Sequence, residues 1–131
     1  MARRKSGSIL TVYVVDDDPS VRKALRRLMR SAGFEVLAFD SAEEFLEFSR
    51  CGAPGCVVVD VQMPGMNGLD LQDQLTHAGS KLPLVFITAY EDDHVRARAL
   101  NAGAIEFLQK PFDDKALINA IHSALRQSQA R

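Results

Sequence analysis

The sequence is poor in everything that marks a secreted, membrane-spanning or metal-stapled protein. Only two cysteines occur, Cys51 and Cys56, too few for a disulfide framework in a chain of 131 residues. A metal site built on them needs two more soft ligands nearby, and the sequence offers none. The three histidines, His77, His94 and His122, fit no metal-binding spacing and read as surface residues. No apolar run is longer than a strand, so no transmembrane span is expected. No basic start followed by an apolar segment marks a signal peptide, and the expected compartment is the cytoplasm. An excess of one charge is missing too. Sixteen basic and seventeen acidic residues give a formal net charge of -1, which argues against a general attraction to nucleic acid or a membrane surface.

What is present is the balance of an ordinary folded domain. Hydrophobic residues make up 47% and charged residues 25%, enough apolar material for one core without staples. Residues 1–8, with Arg3, Arg4 and Lys5 among Ser and Gly, read as a flexible basic leader. Five short apolar runs then alternate with five helix-like segments.

Ile9–Val15 (ILTVYVV) is β-branched and aromatic, the composition of a buried strand. Asp18-Pro19 supplies an N-cap and a first-turn proline for a helix. Val21, Leu25, Leu28 and Ala32 share one face of it, and Gly33 closes it. Phe34–Phe39 is a weaker second strand. Ser41 with Glu44 forms a capping box for a helix carrying Ala42, Phe45 and Leu46. Cys56–Asp60 (CVVVD) is apolar until its final carboxylate. Gln62–Gly68 is a turn-rich loop, followed by a helix with Leu71, Leu75 and Ala78 on one side. Leu84–Thr88 is the fourth strand. Asp92 or Asp93 caps a helix over Val95–Ala102, whose apolar face is small. Ile105–Leu108 is the fifth strand, and Asp113 caps a last helix carrying Leu117, Ala120, Ile121, Ala124 and Leu125.

Strands without polar alternation, separated by helices, require a parallel sheet covered on both faces. The expected fold is α/β, a flavodoxin-like doubly wound (βα)5 with strand order 2-1-3-4-5. Such folds bind ligands at the carboxyl ends of the strands, near the point where the winding reverses. The residues that fall there are Asp16, Asp17 and Asp18 after strand 1, Asp60 at the end of strand 3, Thr88 at the end of strand 4 and Lys110 after strand 5. Asp18 reads as a helix cap. The other carboxylates repel one another unless a cation or proton intervenes. A hard, oxygen-preferring ion is the natural partner, Mg²⁺ first, with Mn²⁺ as a substitute. A carboxylate nucleophile, a metal, a lysine and a hydroxyl together suit phosphoryl transfer. Asp60 is the favoured nucleophile because it stands alone on the central strand.

Four motifs in order, VVDDD at Val14–Asp18, VVVDVQMPGMNG at Val57–Gly68, FITAY at Phe86–Tyr90 and FLQKPF at Phe107–Phe112, resemble those of response-regulator receiver domains. The resemblance covers the chain from about Ile9 to Ser128. It implies that Asp16 and Asp17 hold Mg²⁺ together with Asp60 and the Gln62 backbone carbonyl, and that Asp60 accepts the phosphoryl group. It further implies that Thr88 and Lys110 bind that group, that Phe107 is an aromatic that turns inward on switching, that Gln62 and Tyr90 tune phosphoryl lifetime, and that the Lys110–Pro111 bond is cis. The segments SAEEFL at Ser41–Leu46 and NAGAIEFLQKPF at Asn101–Phe112 are most similar to FixJ/NarL-type regulators.

The domain expectation is a leader over 1–8, a receiver over 9–128, and a tail over 129–131 that begins a linker to an output domain outside the sequence. Implied partners are a sensor histidine kinase and a second copy of the chain, dimerising on phosphorylation through the helix 4–strand 5–helix 5 face. DNA would be reached only through the output domain, in transcription regulation. Such a receiver is a signalling switch with slow self-catalysed dephosphorylation, not a turnover enzyme. Two other readings are a haloacid-dehalogenase-like phosphatase using Asp16 in its Asp16-x-Asp18 motif, and an unphosphorylated interaction module. The first is usually a larger protein. The second leaves the full set Asp16, Asp17, Asp60, Thr88 and Lys110 without a purpose. A flavin-binding reading lacks a Ser/Thr/Gly-rich phosphate loop after strand 1.

Overall fold

The structure, a computed structural model, describes residues 11–129. The leader over 1–8, the first two residues expected in strand 1 (Ile9 and Leu10) and the last two residues of the expected tail lie outside the described residues. Five strands and five helices alternate: β1 (Thr11–Val15), α1 (Pro19–Ser31), β2 (Glu35–Phe39), α2 (Ala42–Ser49), β3 (Cys56–Asp60), α3 (Gly68–His77), β4 (Leu84–Thr88), α4 (Asp93–Asn101), β5 (Glu106–Gln109) and α5 (Asp114–Gln129). All neighbouring strands pair in parallel, in the order β2-β1-β3-β4-β5. No described helix is long and apolar enough to cross a membrane.

The strands bury both faces, and side chains alternate between them. Val12, Val14, Cys56, Val58, Val85 and Ile87 pack with Leu25 and Met29 of α1 and with Leu117, Ile121 and Leu125 of α5. Tyr13, Val15, Val57, Val59 and Phe86 pack on the other side with Phe45 of α2, Leu71 and Leu75 of α3, and Ala99 of α4. Burying each large aliphatic or aromatic side chain contributes about 1.5–3 kcal/mol, so these two layers supply most of the drive to fold. Cys51 is exposed and Cys56 buried, both as free thiols. Burial pushes the Cys56 thiol up to about 12, which keeps it protonated and inert.

The ends of the elements differ from the sequence expectation where local chemistry takes a residue. Phe34 is not the first residue of β2. Its N–H bonds to Met29 O while Gly33 N–H bonds to Arg30 O, and Gly33 has φ of 93°, so both residues close α1 in a Schellman turn. Met29, not Ala32, completes the buried face of α1: Met29 is fully buried and Ala32 exposed. Ala78 is likewise exposed at the end of α3. Helix α4 starts two residues earlier than expected, because Asp92 Oδ1 accepts from both His94 N–H and Val95 N–H. Strand β5 is displaced by one residue from the expected Ile105–Leu108.

The capping box expected at Ser41 is only half formed. Ser41 Oγ accepts from Glu44 N–H, but the Glu44 carboxylate reaches back to Asp40 N–H instead. A complete box sits at α3, where Asn67 and Asp70 exchange hydrogen bonds. That box orients the loop between β3 and α3, and Gly68 lets it close. Gly68 N–H bonds Val61 O at 3.1 Å. A Cβ at this position would stand 2.6 Å from Asp60 O and 3.0 Å from the Phe86 ring. Gly68→Ala is therefore expected to cost about 1–3 kcal/mol in urea unfolding, as overpacking against backbone does. A variant as stable as the wild type would show that the loop relaxes freely around position 68.

Candidate functional site

The strand register assembles the site. β1 and β3 pair Val15 with Val59, so one further step sets Asp16 opposite Asp60. Asp16 stays in the ladder, its N–H bonding to Phe39 O at 3.2 Å. Neighbouring parallel strands lie about 4.8 Å apart, which forces the two carboxylates together. One oxygen from each of Asp16, Asp17 and Asp60 lies within 4.8 Å of the others.

The carboxylates differ in exposure. Asp16 is fully buried, Asp60 is 7% exposed, and Asp17 is exposed. Asp16 Oδ1 accepts from Asp18 N–H at 2.9 Å, and the Asp16 carbonyl accepts from Arg22 Nη1 at 2.8 Å. Asp60 Oδ1 accepts from Gln62 N–H at 3.0 Å. That contact fixes the rotation of the Asp60 carboxylate and ties residue 62 to it. Asp18, as expected, is the N-cap of α1, its side chain accepting from Ser20 N–H.

Lys110 bridges the two buried carboxylates. Its Nζ lies 3.4 Å from Asp16 Oδ2 and 3.4 Å from Asp60 Oδ2. Charge-assisted bonds between such groups are normally about 2.7–2.9 Å, so the ammonium is a shared counter-charge committed to neither. Its backbone is fixed by Lys110 N–H bonding Thr88 O at 2.7 Å, and the Lys110–Pro111 peptide bond is cis. Burial raises the Asp16 carboxyl above the ordinary carboxylate range. The Asp18 N–H and Lys110 oppose that rise, and Asp60 adds to it. The native state therefore holds a proton on Asp16 more readily than the unfolded chain does. The associated stability is full below the ordinary carboxylate pKa and is lost as pH rises through the raised native value.

Alternation along the strands sets which side of the sheet each strand-end residue faces. Asp60 follows Cys56 and Val58 on the α1–α5 side of the sheet. Thr88 follows Leu84 and Phe86, which point to the α2–α3–α4 side. Thr88 is 2% exposed, and its hydroxyl accepts from Tyr90 N–H at 3.2 Å, within its own loop. Phe107 shares that side and already packs inward, 5% exposed, with its ring 6.1 Å from that of Phe86. Tyr90 points away, 65% exposed. The three histidines are exposed as expected.

Several contacts around the site had no signal in the sequence. Arg96 of α4 donates to Phe107 O at 3.2 Å. Gln72 of α3, 5% exposed, donates to Ala99 O at 3.1 Å. Arg98 pairs with Asp73 at 2.9 Å. Ala99 is the only buried residue of α4, and Val95 and Leu100 pack partly buried against the same core.

Residues 12–122 match the family described as the response regulator receiver domain. The transcriptional regulatory protein TdiR of Thauera aromatica is 43% identical over 125 residues, covering 95% of this chain and 55% of TdiR. FixJ of Bradyrhizobium diazoefficiens is 41% identical over 118 residues, covering 90% of this chain and 58% of FixJ. The chain thus spans about half the length of the curated relatives it matches. Among solved structures, the response regulator StyR superposes with a TM-score of 0.89 at 53% identity, over 95% of this chain and 63% of that one. The FixJ-N crystal structure gives 0.85 at 38% identity, over 89% and 94%. With the acidic strand ends and the bridging lysine in place on this fold, the chain belongs to the response regulator receiver domain family.

Proposed function

We propose that Asp60 accepts a phosphoryl group from a sensor histidine kinase or a small acyl phosphate, and that this controls an output activity, transcription regulation, carried elsewhere in a longer regulator. The observation that carries this reading is the Asp16–Asp60–Lys110 constellation, two buried or nearly buried carboxylates sharing one ammonium. The longer relatives TdiR and FixJ are named as transcriptional regulatory proteins, which supports the output assignment.

The donor set fits a hard divalent ion. Oxygens bound to one Mg²⁺ at about 2.0–2.1 Å are at most about 4.2 Å apart. The three carboxylate oxygens already lie within 4.8 Å of one another and would draw in further to share one ion. Asp17, exposed, is free to make that adjustment. Asp16, Asp17, Asp60 and the Gln62 carbonyl would hold Mg²⁺, which when bound neutralises charge on the transferring phosphoryl oxygens; the same ligands would accept Mn²⁺.

Asp60 carboxylate oxygen forms a bond to phosphorus while the bond to the donor's nitrogen or acyl oxygen breaks, its electron pair leaving with the donor. Gln62 N–H keeps the Asp60 carboxylate oriented for attack. Lys110 then moves from sharing two carboxylates to pairing the phosphoryl oxygens. Thr88 gives up its Tyr90 contact to donate its hydroxyl to the same group. Phe107 is already inward, so phosphorylation acts by favouring this packing over an outward alternative. Helix α4, held by Arg96, Gln72 and Arg98, is the element suited to shift. The α4–β5–α5 face would then pair with a second copy. Slow attack of water on the aspartyl phosphate, with Gln62 and Tyr90 lining its approach, would release inorganic phosphate and reset the switch in the cytoplasm.

The phosphatase reading is disfavoured by burial. Asp16 has no exposed surface and its Oδ1 is held by Asp18 N–H, a poor position for a nucleophile.

Incubation with acetyl phosphate and Mg²⁺ is expected to give one phosphoryl adduct by intact-mass spectrometry, and none for Asp60→Asn. An equal adduct on that variant removes Asp60 as acceptor. Lys110→Ala is expected to take the group up at least tenfold more slowly, by loss of one charge-assisted contact. It should also leave the α4–β5–α5 amide resonances unshifted by beryllofluoride. Wild-type shifts in that variant would make Lys110 a bystander.

A further inference from the structure

We propose that Glu43, on α2, is a positioning residue for the loop that carries the Gln62 carbonyl. The inference rests on the receiver reading and adds to it a residue outside the acidic strand ends.

The loop between β3 and α3 is fixed at both ends by hydrogen bonds. Val61 N–H bonds Ile87 O, Gln62 N–H bonds Asp60 Oδ1, and Gly68 N–H bonds Val61 O. Its middle, Met63 to Met66, has no such support from β3 or α3. Pro64 has no N–H to offer, and Gly65 turns with φ of 74°. Met63 is buried in the core and Met66 packs against it, while among the described residues the side-chain hydrogen bond to this middle comes from 23 residues away, where Glu43 Oε2 accepts from Met66 N–H at 3.1 Å. The same oxygen would lie 2.9 Å from a Cβ placed on Gly65, so the carboxylate rests directly against the loop backbone. Gly65 is suited there by its turn, with φ in the left-handed region.

Helix α2 is a firm base for this contact. Ala42 and Phe45, on either side of Glu43 in the chain, are both fully buried. Closing the helix start is the work of Ser41 and Glu44. Glu43 is thus left free to reach outward. The contact holds the loop in one arrangement before any ion arrives, so binding does not have to select that arrangement from several. Glu43 itself makes no contact with the ion or the phosphoryl group.

The test uses Glu43→Gln, which keeps an oxygen acceptor, and Glu43→Ala, which removes it. Amide hydrogen exchange of Met66 and Mg²⁺ titration by NMR are measured on both variants and on the wild type. For Glu43→Ala, Met66 exchange should speed up and Mg²⁺ affinity should fall, each by roughly fivefold, the worth of one net hydrogen bond. Thermal stability without Mg²⁺ should fall by no more than about 1 kcal/mol, the worth of that one hydrogen bond, and Glu43→Gln should behave as the wild type. Unchanged Mg²⁺ affinity in Glu43→Ala overturns the proposal. So does an equal loss in Glu43→Gln with Met66 still protected, since that marks a general charge effect. A wild type that binds no Mg²⁺ overturns the receiver chemistry itself, and with it this role.

Discussion

Two carboxylates at the ends of neighbouring parallel strands, Asp16 and Asp60, are the constraint on which the site depends. The β1–β3 register leaves them no means of separating, and burial denies Asp16 the water that would screen it. Two like charges in such a place are costly unless something positive stands between them. Lys110 partly answers, at 3.4 Å from each, but loosely enough to leave negative charge over. The clustered carboxylates therefore leave negative charge that a bound cation would neutralise. A well-packed apolar pair would suit stability more. The fold tolerates the conflict because the valine layers on both sides of the sheet hold the strand ends in place.

The same alternation that packs the core divides the site's roles. Residues on one side of the strand ends, Asp16, Asp60 and Lys110, face each other and hold charge. Residues on the other side, Thr88 and Phe107, face α4. Thr88 stands between the two, its hydroxyl engaged with Tyr90 N–H but able to turn toward a phosphoryl group. Helix α4, with Ala99 its only buried residue, has little apolar burial to lose.

The fold was legible because its signals are local. Unbroken runs such as CVVVD and LVFIT declare strands buried on both faces, and Asp18-Pro19, Gly33 and Asp92 mark helix ends by their own chemistry. The acidic residues and Lys110 were legible because each sits at the end of such a strand. Three things were not. The direction of Thr88 follows from counting alternation along β4, which the sequence permits only once the strand's ends are known. The exchange between Asn67 and Asp70 lay inside a stretch read as loop. The contacts of Glu43 with Met66, Gln72 with Ala99 and Arg96 with Phe107 join residues 23, 27 and 11 positions apart. In the sequence these are ordinary surface polar residues, and only the packing of α2, α3 and α4 gives them partners.

The conflict between Asp16 and Asp60 is open to direct measurement through thermal unfolding of the wild type and Asp16→Asn, with and without Mg²⁺. Without the ion, Asp16→Asn should be the more stable protein, because a neutral amide keeps the Asp18 N–H contact and removes the buried like charge. With saturating Mg²⁺ the order should reverse: the wild type gains stability in proportion to the logarithm of ion concentration, and the variant gains little. An Asp16→Asn protein that is less stable without Mg²⁺, or that gains as much from the ion as the wild type, would contradict the electrostatic basis of the site.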